Sequence, residues 1–332
     1  MNNNDCCKHH FHKENLNNEN EELLEHPLDF FEEDCSRRGF LKKAGAAGLG
    51  ALSIPLLGSL NDIFAASPTI SAVQGLSEAA VVQKAIELIG GMGKFVRRGD
   101  VVMIKPNIGW DRNYRQAANT NPFVIKKLIE MCLEAGAKKV KVTDNPCQAP
   151  SVTYVRSGIK RVCTQTGAEL IYPTPALFKT MNIGGRVIKR WPVYAPIVEC
   201  DKLINVPVAK HHSLSRLTLG MKNFYGAVGG SRGRLHQNIH DGIVDMARFF
   251  KSDLTIIDAI RIMHRHGPTG GSYNDVKKID TIIAGTDYVA CDAYATTLFG
   301  LKPNDIGYIQ LGGKFRLGQN DLSKINVVKA NV

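Results

Sequence analysis

Residues 101–107 read Val-Val-Met-Ile-Lys-Pro-Asn, and residues 120–146 read TNPFVIKKLIEMCLEAGAKKVKVTDNP. Val101 to Ile104 is an unbroken apolar run of strand length, stopped by Lys105-Pro106-Asn107. A strand covered on both faces reads this way, whereas a half-solvated one alternates. Pro122 opens a helix that runs through Ala135, Gly136 ends it, and Val140-Lys141-Val142 then leads into Thr143-Asp144. Strand, loop, helix, strand is the βαβ unit of a parallel sheet. The chain is therefore expected to be α/β, with a mainly parallel sheet, flanking helices and a small hairpin insert.

The same grammar extends outward. Upstream, Ser77 caps a segment with apolar residues at helical spacing from Val81 to Ile89. Downstream come a strand at Leu203–Val206, helices at Leu217–Tyr225 and Ile239–Phe250, and a strand from Leu254 that ends at Asp258. A strand at Thr281–Ala284, a helix at Tyr288–Phe299, a short helix near Pro303–Leu311 and a strand at Ile325–Val328 follow. Met181–Val193 reads as a hairpin around Gly184-Gly185. No linker interrupts residues 69–332, which predicts one α/β domain over 67–332.

In a parallel sheet the loops at the carboxyl ends of the strands gather into the functional crevice. Those ends carry Lys105 and Asn107, then Asp144, then Lys210, His211 and His212, and finally Asp258 followed by Arg261, His264 and His266. Lys105, Asn107, Lys210, His212 and Asp258 are the candidate catalytic residues.

Residues 1–34 are rich in Asn, Glu and His, the composition of a disordered acidic and polar leader. Ser36-Arg37-Arg38-Gly39-Phe40-Leu41-Lys42 then matches the twin-arginine signal S-R-R-x-F-L-K. The apolar stretch Ala44–Leu60 is Gly-rich and broken by Pro55, which suits a signal peptide over 35–66 better than a spanning helix of about 20 apolar residues. The expectation is export by the twin-arginine machinery to the periplasm or cell envelope, cleavage after Ala65 or Ala66, and no transmembrane span in the mature form. An uncleaved anchor or a buried Ala/Gly helix is the alternative.

The whole chain has 42 Lys+Arg against 31 Asp+Glu. Residues 1–65 hold 6 and 11 of these, which leaves 36 against 20, a net of +16, on residues 66–332. Such a domain suits anionic ligands or an anionic envelope surface. No recognised nucleic-acid-binding motif accompanies the charge, and the expected route leads out of the cytoplasm, so a nucleic-acid partner is not expected. The eight cysteines include no C-x-x-C pair, so zinc ribbons and ferredoxin-type loops are excluded. Cys147, at a strand end, lies in a plausible site loop.

Six of the ten histidines fall between His211 and His266. His236 and His240 are spaced i, i+4 and His264-Arg265-His266 is H-x-H, so these four are candidate metal ligands, with solvated loop positions as the alternative. His236 to His240 reads HQNIH, without the Glu of H-E-x-x-H. The stretch Lys222–Arg234 combines four glycines with Lys222, Asn223, Arg232 and Arg234, a backbone able to wrap an anion and side chains able to bind it. Gly229–Gly233 matches G-x-S-x-G but does not follow a strand, as a nucleophile elbow must. Gly267-Pro268-Thr269-Gly270-Gly271 is a turn cluster beside His266.

VVMIKPNIGW (Val101–Trp110), the Thr120–Pro146 stretch, INVPVAKHHSLSRLTLGMKNFYGAVGGSRGRLHQN (Ile204–Asn238), LTIIDAIRIMHRHGPTGG (Leu254–Gly271) and IAGTDYVACDAYATTLFGLKP (Ile283–Pro303) together resemble the DUF362 family, a domain of uncharacterised function. The resemblance maps polar motif positions onto Lys105, Asn107, Thr120, Asp144, Lys210, His212, Lys222, Asn223, His236, Asp258, His266, Asp287 and Asp292, the last two with helix capping as their other reading. Many relatives carry a two-cluster ferredoxin segment. This chain has none of those cysteine motifs, so it looks like the single-domain, twin-arginine-exported branch and an iron–sulfur cluster is not expected. Its cofactor stays unassigned, with a metal ion or redox group as candidates. Two functions remain in play: an enzyme that binds a small anionic molecule in a Lys/His/Asp-lined crevice, and a non-catalytic binding or electron-transfer accessory that meets a redox partner. Elemental analysis of the exported protein separates them.

Overall fold

The computed structural model describes residues 67–332, so the leader and the twin-arginine segment lie outside the described residues. Strand β1 (Thr69–Gln74) is followed by helix α1 (Glu78–Glu87), which Ser77 caps by accepting from the Ala80 N–H. Strand β2 (Val101–Pro106), helix α2 (Pro122–Glu134) and strand β3 (Lys139–Val142) form the expected parallel βαβ unit, with Val102 opposite Val140. Helices α3 (Pro150–Arg156) and α4 (Ile159–Thr166) lead to the short strand β4 (Glu169–Leu170), parallel to β3.

Strands β5 (Phe178–Asn182) and β6 (Arg190–Tyr194) pair antiparallel around Gly184, as the hairpin reading expects. Helix α5 (Ala195–Val198) and strands β7 (Lys202–Val206), β8 (Val208–His212) and β9 (Arg216–Thr218) come next. Helix α6 (Gly220–Asn223), helix α7 (Ile239–Phe250), strands β10 (Leu254–Met263) and β11 (Val276–Gly285), helices α8 (Tyr288–Ala295) and α9 (Gly307–Lys314), and strand β12 (Asn326–Asn331) complete the chain.

The main sheet runs β12-β1-β11-β10-β7-β2-β3-β4, with β8 and β9 branching from β10. It is mostly parallel; the antiparallel contacts are β1 with β11, β10 with β11, and β8 with β9. Helices cover both faces because successive strand residues point to opposite sides. Val102 and Ile104 pack with Val81, Leu128 and Ile159 on one face, while Met103 packs with Ile243, Phe250 and Val289 on the other.

Three departures from the sequence reading shape the site. Lys210, His211 and His212 stand on β8 instead of in a loop after a strand, and the Leu254 strand continues past Asp258 to Met263. Pro207, which has no N–H to offer a neighbouring strand, separates β7 from β8. Beyond it β7, which lies between β2 and β10, gives way to β8, which stays with β10 and pairs on its other side with β9. The sheet therefore opens at the carboxyl end of β2. The expected helix over Leu217–Tyr225 is likewise a strand followed by the single turn α6, because Arg216–Thr218 is taken up in pairing with β8.

The hairpin is docked by one carboxylate. Asp245 on α7, 2% exposed, accepts from the N–H groups of Arg186, Val187 and Ile188 at 2.8, 2.9 and 2.9 Å. The hairpin then supports the glycine-rich loop, where Trp191 Nε1–H donates to the Gly229 carbonyl. Among the described residues no helix is long and apolar enough to cross a membrane.

Removing the Asp245 acceptor strands three amide donors at the hairpin tip. Asp245→Ala is expected to cost roughly 2–4 kcal/mol in urea unfolding. Limited proteolysis should then cut first within residues 183–189.

Candidate functional site

At the carboxyl ends of β2 and β3, the Lys105 Nζ donates to Asp144 Oδ1 at 2.6 Å and to the Pro106 carbonyl at 2.9 Å. Both side chains are closed off from solvent, at 0% and 3% exposure. The other oxygen of Asp144 accepts the Ile108 N–H at 2.6 Å, which turns the chain away from the sheet after β2. Burial lowers the Lys105 pKa from its ordinary value, opposed by the Asp144 charge. Gly226 lies directly over this pair: a Cβ there would run into the Asp144 carboxylate and sit 2.9 Å from Lys105 Nζ. Close approach, not an unusual backbone angle, requires glycine at this position.

A chain of side-chain amides crosses the opening beside the pair. Asn205 Nδ2 donates to the Gly220 carbonyl at 2.9 Å, Asn223 Nδ2 to Asn205 Oδ1 at 2.8 Å, and Asn107 Nδ2 to Asn223 Oδ1 at 2.9 Å. Lys210 Nζ completes it by donating to Asn107 Oδ1 at 3.0 Å and to the Ala118 carbonyl at 2.6 Å. Because the last acceptor is a backbone carbonyl, the orientation of each amide follows from the one before it. Asp292 anchors the far end by accepting the Gly220 and Met221 N–H groups at 2.6 and 2.9 Å, so it positions α6 instead of entering the site. Asp287 caps α8, accepting from Ala290 at 2.8 Å.

Above this floor is a cavity of about 430 Å³, lined in part by Asn107, Lys210, His212, Lys222, Arg232 and His236. Lys222 Nζ lies 4.1 Å from the centre of the Tyr225 ring, a cation–π contact. Arg232 reaches across to the Asn145 carbonyl at 2.7 Å and to the Pro146 carbonyl, tying the glycine-rich loop to the loop after β3. His212 Nδ1 accepts the N–H groups of Leu214 and Ser215 at 3.2 and 3.3 Å, so the neutral ring carries its proton on Nε2. Burial, reinforced by Lys222 and Lys210, pushes its pKa down to about 2. His236 stacks on it with ring centres 6.2 Å apart and is also lowered by burial and by Lys222.

Lys210 is 1% exposed, and burial pushes its pKa down to about 7; Lys222 and Lys105 act in the same direction, while Cys147 and Asp144 oppose them. The Thr218 hydroxyl, buried at the cavity lining, has no hydrogen-bond partner among the described residues.

The structure thus brings Asn107, Lys210, His212, Lys222, Asn223, Arg232 and His236 to one cavity. Lys105 lies beneath it, committed to Asp144. Asp258 is also outside the lining: it accepts the Asn121 and Ile260 N–H groups at 2.7 and 3.1 Å, and burial raises its pKa to about 6. Arg234 is exposed and not part of the lining.

The four histidines considered as one metal set do not meet. His236 stacks on His212, His240 stacks on Tyr308, and His266 is hydrogen-bonded to Asp275 at 2.9 Å beyond the end of β10. His264 and His266 follow the end of β10 at Met263, and the next residue, Gly267, donates its N–H to His211 Nδ1 at 3.1 Å. Among the described residues no group of three or more His, Cys, Asp and Glu is arranged to hold a metal ion. Sequence reasoning missed Asn205 and Thr218. A lone amide in the apolar run Leu203–Val206 was the available signal for Asn205; Thr218, in a segment read as helix, had none.

A family model described as a domain of unknown function, DUF362, matches residues 102–297. A thylakoid-associated protein of Synechocystis sp. is 26% identical over 261 residues, 73% of this chain and 75% of that protein. Among solved structures, the lactate racemase apoprotein from Thermoanaerobacterium thermosaccharolyticum is similar at 12% identity and a TM-score of 0.40, over 65% of this chain and 54% of its own, about half of that chain's length.

Two stability measurements check the floor. Asp144→Asn leaves the Lys105 ammonium buried without its counter-ion and is expected to cost about 3–5 kcal/mol, part of which returns in the double variant Lys105→Met/Asp144→Asn. Lys210 is lowered in the fold, so its contribution is complete above its unfolded pKa near 10.5 and is lost as pH falls toward about 7. Across that window the urea midpoint of the wild type should rise with pH relative to Lys210→Met. Equal slopes would contradict a depressed Lys210.

Proposed function

The chain belongs to the DUF362 family, and from that premise we propose that it is an exported enzyme whose cavity binds a small anionic molecule. The carrying observation is the charge of the lining: Lys210, Lys222 and Arg232 face the cavity, and its carboxylate, Asp144, is already paired with Lys105. An anion entering there meets cations in a partly dehydrated setting, where their attraction is stronger than in water. The Thr218 hydroxyl is a further polar group that a ligand can satisfy.

Each group has a distinct role in this reading. Lys222 and Arg232 attract and orient the anion. His212, with Nδ1 occupied by backbone donors, offers Nε2–H as a neutral donor and does not become imidazolium near neutral pH. Lys210, near half-protonation at pH 7, gives or takes a proton at Nζ. A metal ion bound there would take most of its donors from the ligand, since among the described residues no group of three or more His, Cys, Asp and Glu is arranged to hold one.

Export is part of the same proposal. It rests on Ser36–Lys42 and on the net +16 of residues 66–332 (36 Lys+Arg minus 20 Asp+Glu), which suits an anionic envelope surface.

Trp110 lines the cavity and reports on it. Titration with inorganic phosphate and with small carboxylic acids, followed by tryptophan fluorescence, should saturate, and Lys222→Ala should weaken binding about 10- to 100-fold. Unchanged binding in the double variant Lys210→Ala/His212→Ala would contradict this placement. Replacing Arg37 and Arg38 together by Lys should hold the protein in the cytoplasm on fractionation; continued export would remove the twin-arginine assignment.

A further inference from the structure

Lys210 differs from the other cations of the cavity in how its nitrogen is held. Nζ donates to two fixed acceptors, Asn107 Oδ1 at 3.0 Å and the Ala118 carbonyl at 2.6 Å. Neither acceptor can turn away: Asn107 is oriented through Asn223 and Asn205 to the Gly220 carbonyl, and Ala118 offers main chain. A neutral amine has two N–H bonds and one lone pair. With both N–H bonds directed at these acceptors, the lone pair takes a remaining tetrahedral direction, and Lys210 is itself part of the cavity lining. The charged and titratable groups that act on it are Lys222 on α6, Lys105 on β2, Asp144 after β3, and Cys147, and burial outweighs all of them in favouring the neutral amine.

Beside this nucleophile lie an N–H donor, His212 Nε2, suited to a developing oxyanion, and a cation, Lys222, suited to a carboxylate. We propose that Lys210 forms an imine with the carbonyl carbon of a small 2-oxo acid bound in this cavity. The nitrogen lone pair attacks the carbonyl carbon and the carbonyl π pair moves to oxygen. The resulting carbinolamine takes up one proton from solvent on its oxygen and loses water, which carries away the carbonyl oxygen with that proton and one amine hydrogen and leaves a protonated C=N bond. The one amine hydrogen that stays on nitrogen donates to the Ala118 carbonyl. The inference rests on the anion-binding reading and deepens it, because it names the substrate class.

The test uses the folded full-length protein at pH 7 with glyoxylate, pyruvate and 2-oxoglutarate, each with borohydride, followed by peptide mass spectrometry. The expected result is a reduced adduct on Lys210 that forms at least ~10-fold faster than on an exposed lysine such as Lys138. It should disappear in Lys210→Arg and persist in Lys160→Arg, a change at an exposed lysine of α4 outside the cavity lining, with circular dichroism confirming that both variants are folded. If the acids bind by tryptophan fluorescence while Lys210 reacts no faster than Lys138, the imine is overturned and anion binding stands. If neither binding nor adduct is seen, both fall.

Discussion

The buried contact between Lys105 and Asp144 organises the carboxyl edge of this sheet. Two opposite charges withdrawn from water are tolerable only as a pair with their remaining hydrogen bonds made, and here the Pro106 carbonyl and the Ile108 N–H make them. The pair holds the end of β2 to the segment after β3 and fixes where the chain turns away from the sheet. It also requires glycine at 226, since any side chain there would occupy the space of the carboxylate. The start of the glycine-rich loop is thereby held against the floor, and its backbone accepts the Asn145 N–H at 2.8 Å.

That pairing has an electrostatic consequence. The carboxylate closest to the cavity is neutralised from below, so the space above it is governed by Lys210, Lys222 and Arg232. The amide chain through Asn107, Asn223 and Asn205 adds precision: it ends on a backbone carbonyl, so its polarity runs one way and reaches Lys210 as an acceptor. A half-satisfied network of this kind would be costly, whereas a complete one rigidifies the site. Burial then separates the cavity groups by protonation, with His212 kept neutral and Lys210 brought near neutrality.

Much of this was legible in the sequence. The apolar run Val101–Ile104, the Pro122 and Gly136 boundaries and the Asp144 strand end identified a parallel βαβ unit, and family resemblance and strand ends converged on Asn107, Lys210 and His212. What was hidden followed from long-range pairing. Lys105 and Asp144 look like site residues in one dimension because both sit at strand ends, but only the register between β2 and β3 makes them partners. The histidines do not form one metal set among the described residues, because His236 stacks on His212 and His266 bonds Asp275, pairings that spacing along the chain does not show. Nor does residue type alone foretell that Arg216–Thr218 pairs with β8, since a strand of three residues is too short for its period to stand out.

A cavity with a neutralised floor should present net positive charge to a small anion. Crystals soaked in selenate, an anion with an anomalous signal, test it most directly. An anomalous peak is expected inside the cavity within hydrogen-bonding distance of Lys222 and His212 Nε2, and its loss is expected in Lys222→Ala. Selenate found only on the outer surface, or a cation bound beside Asp144 with Lys105 displaced, would contradict it.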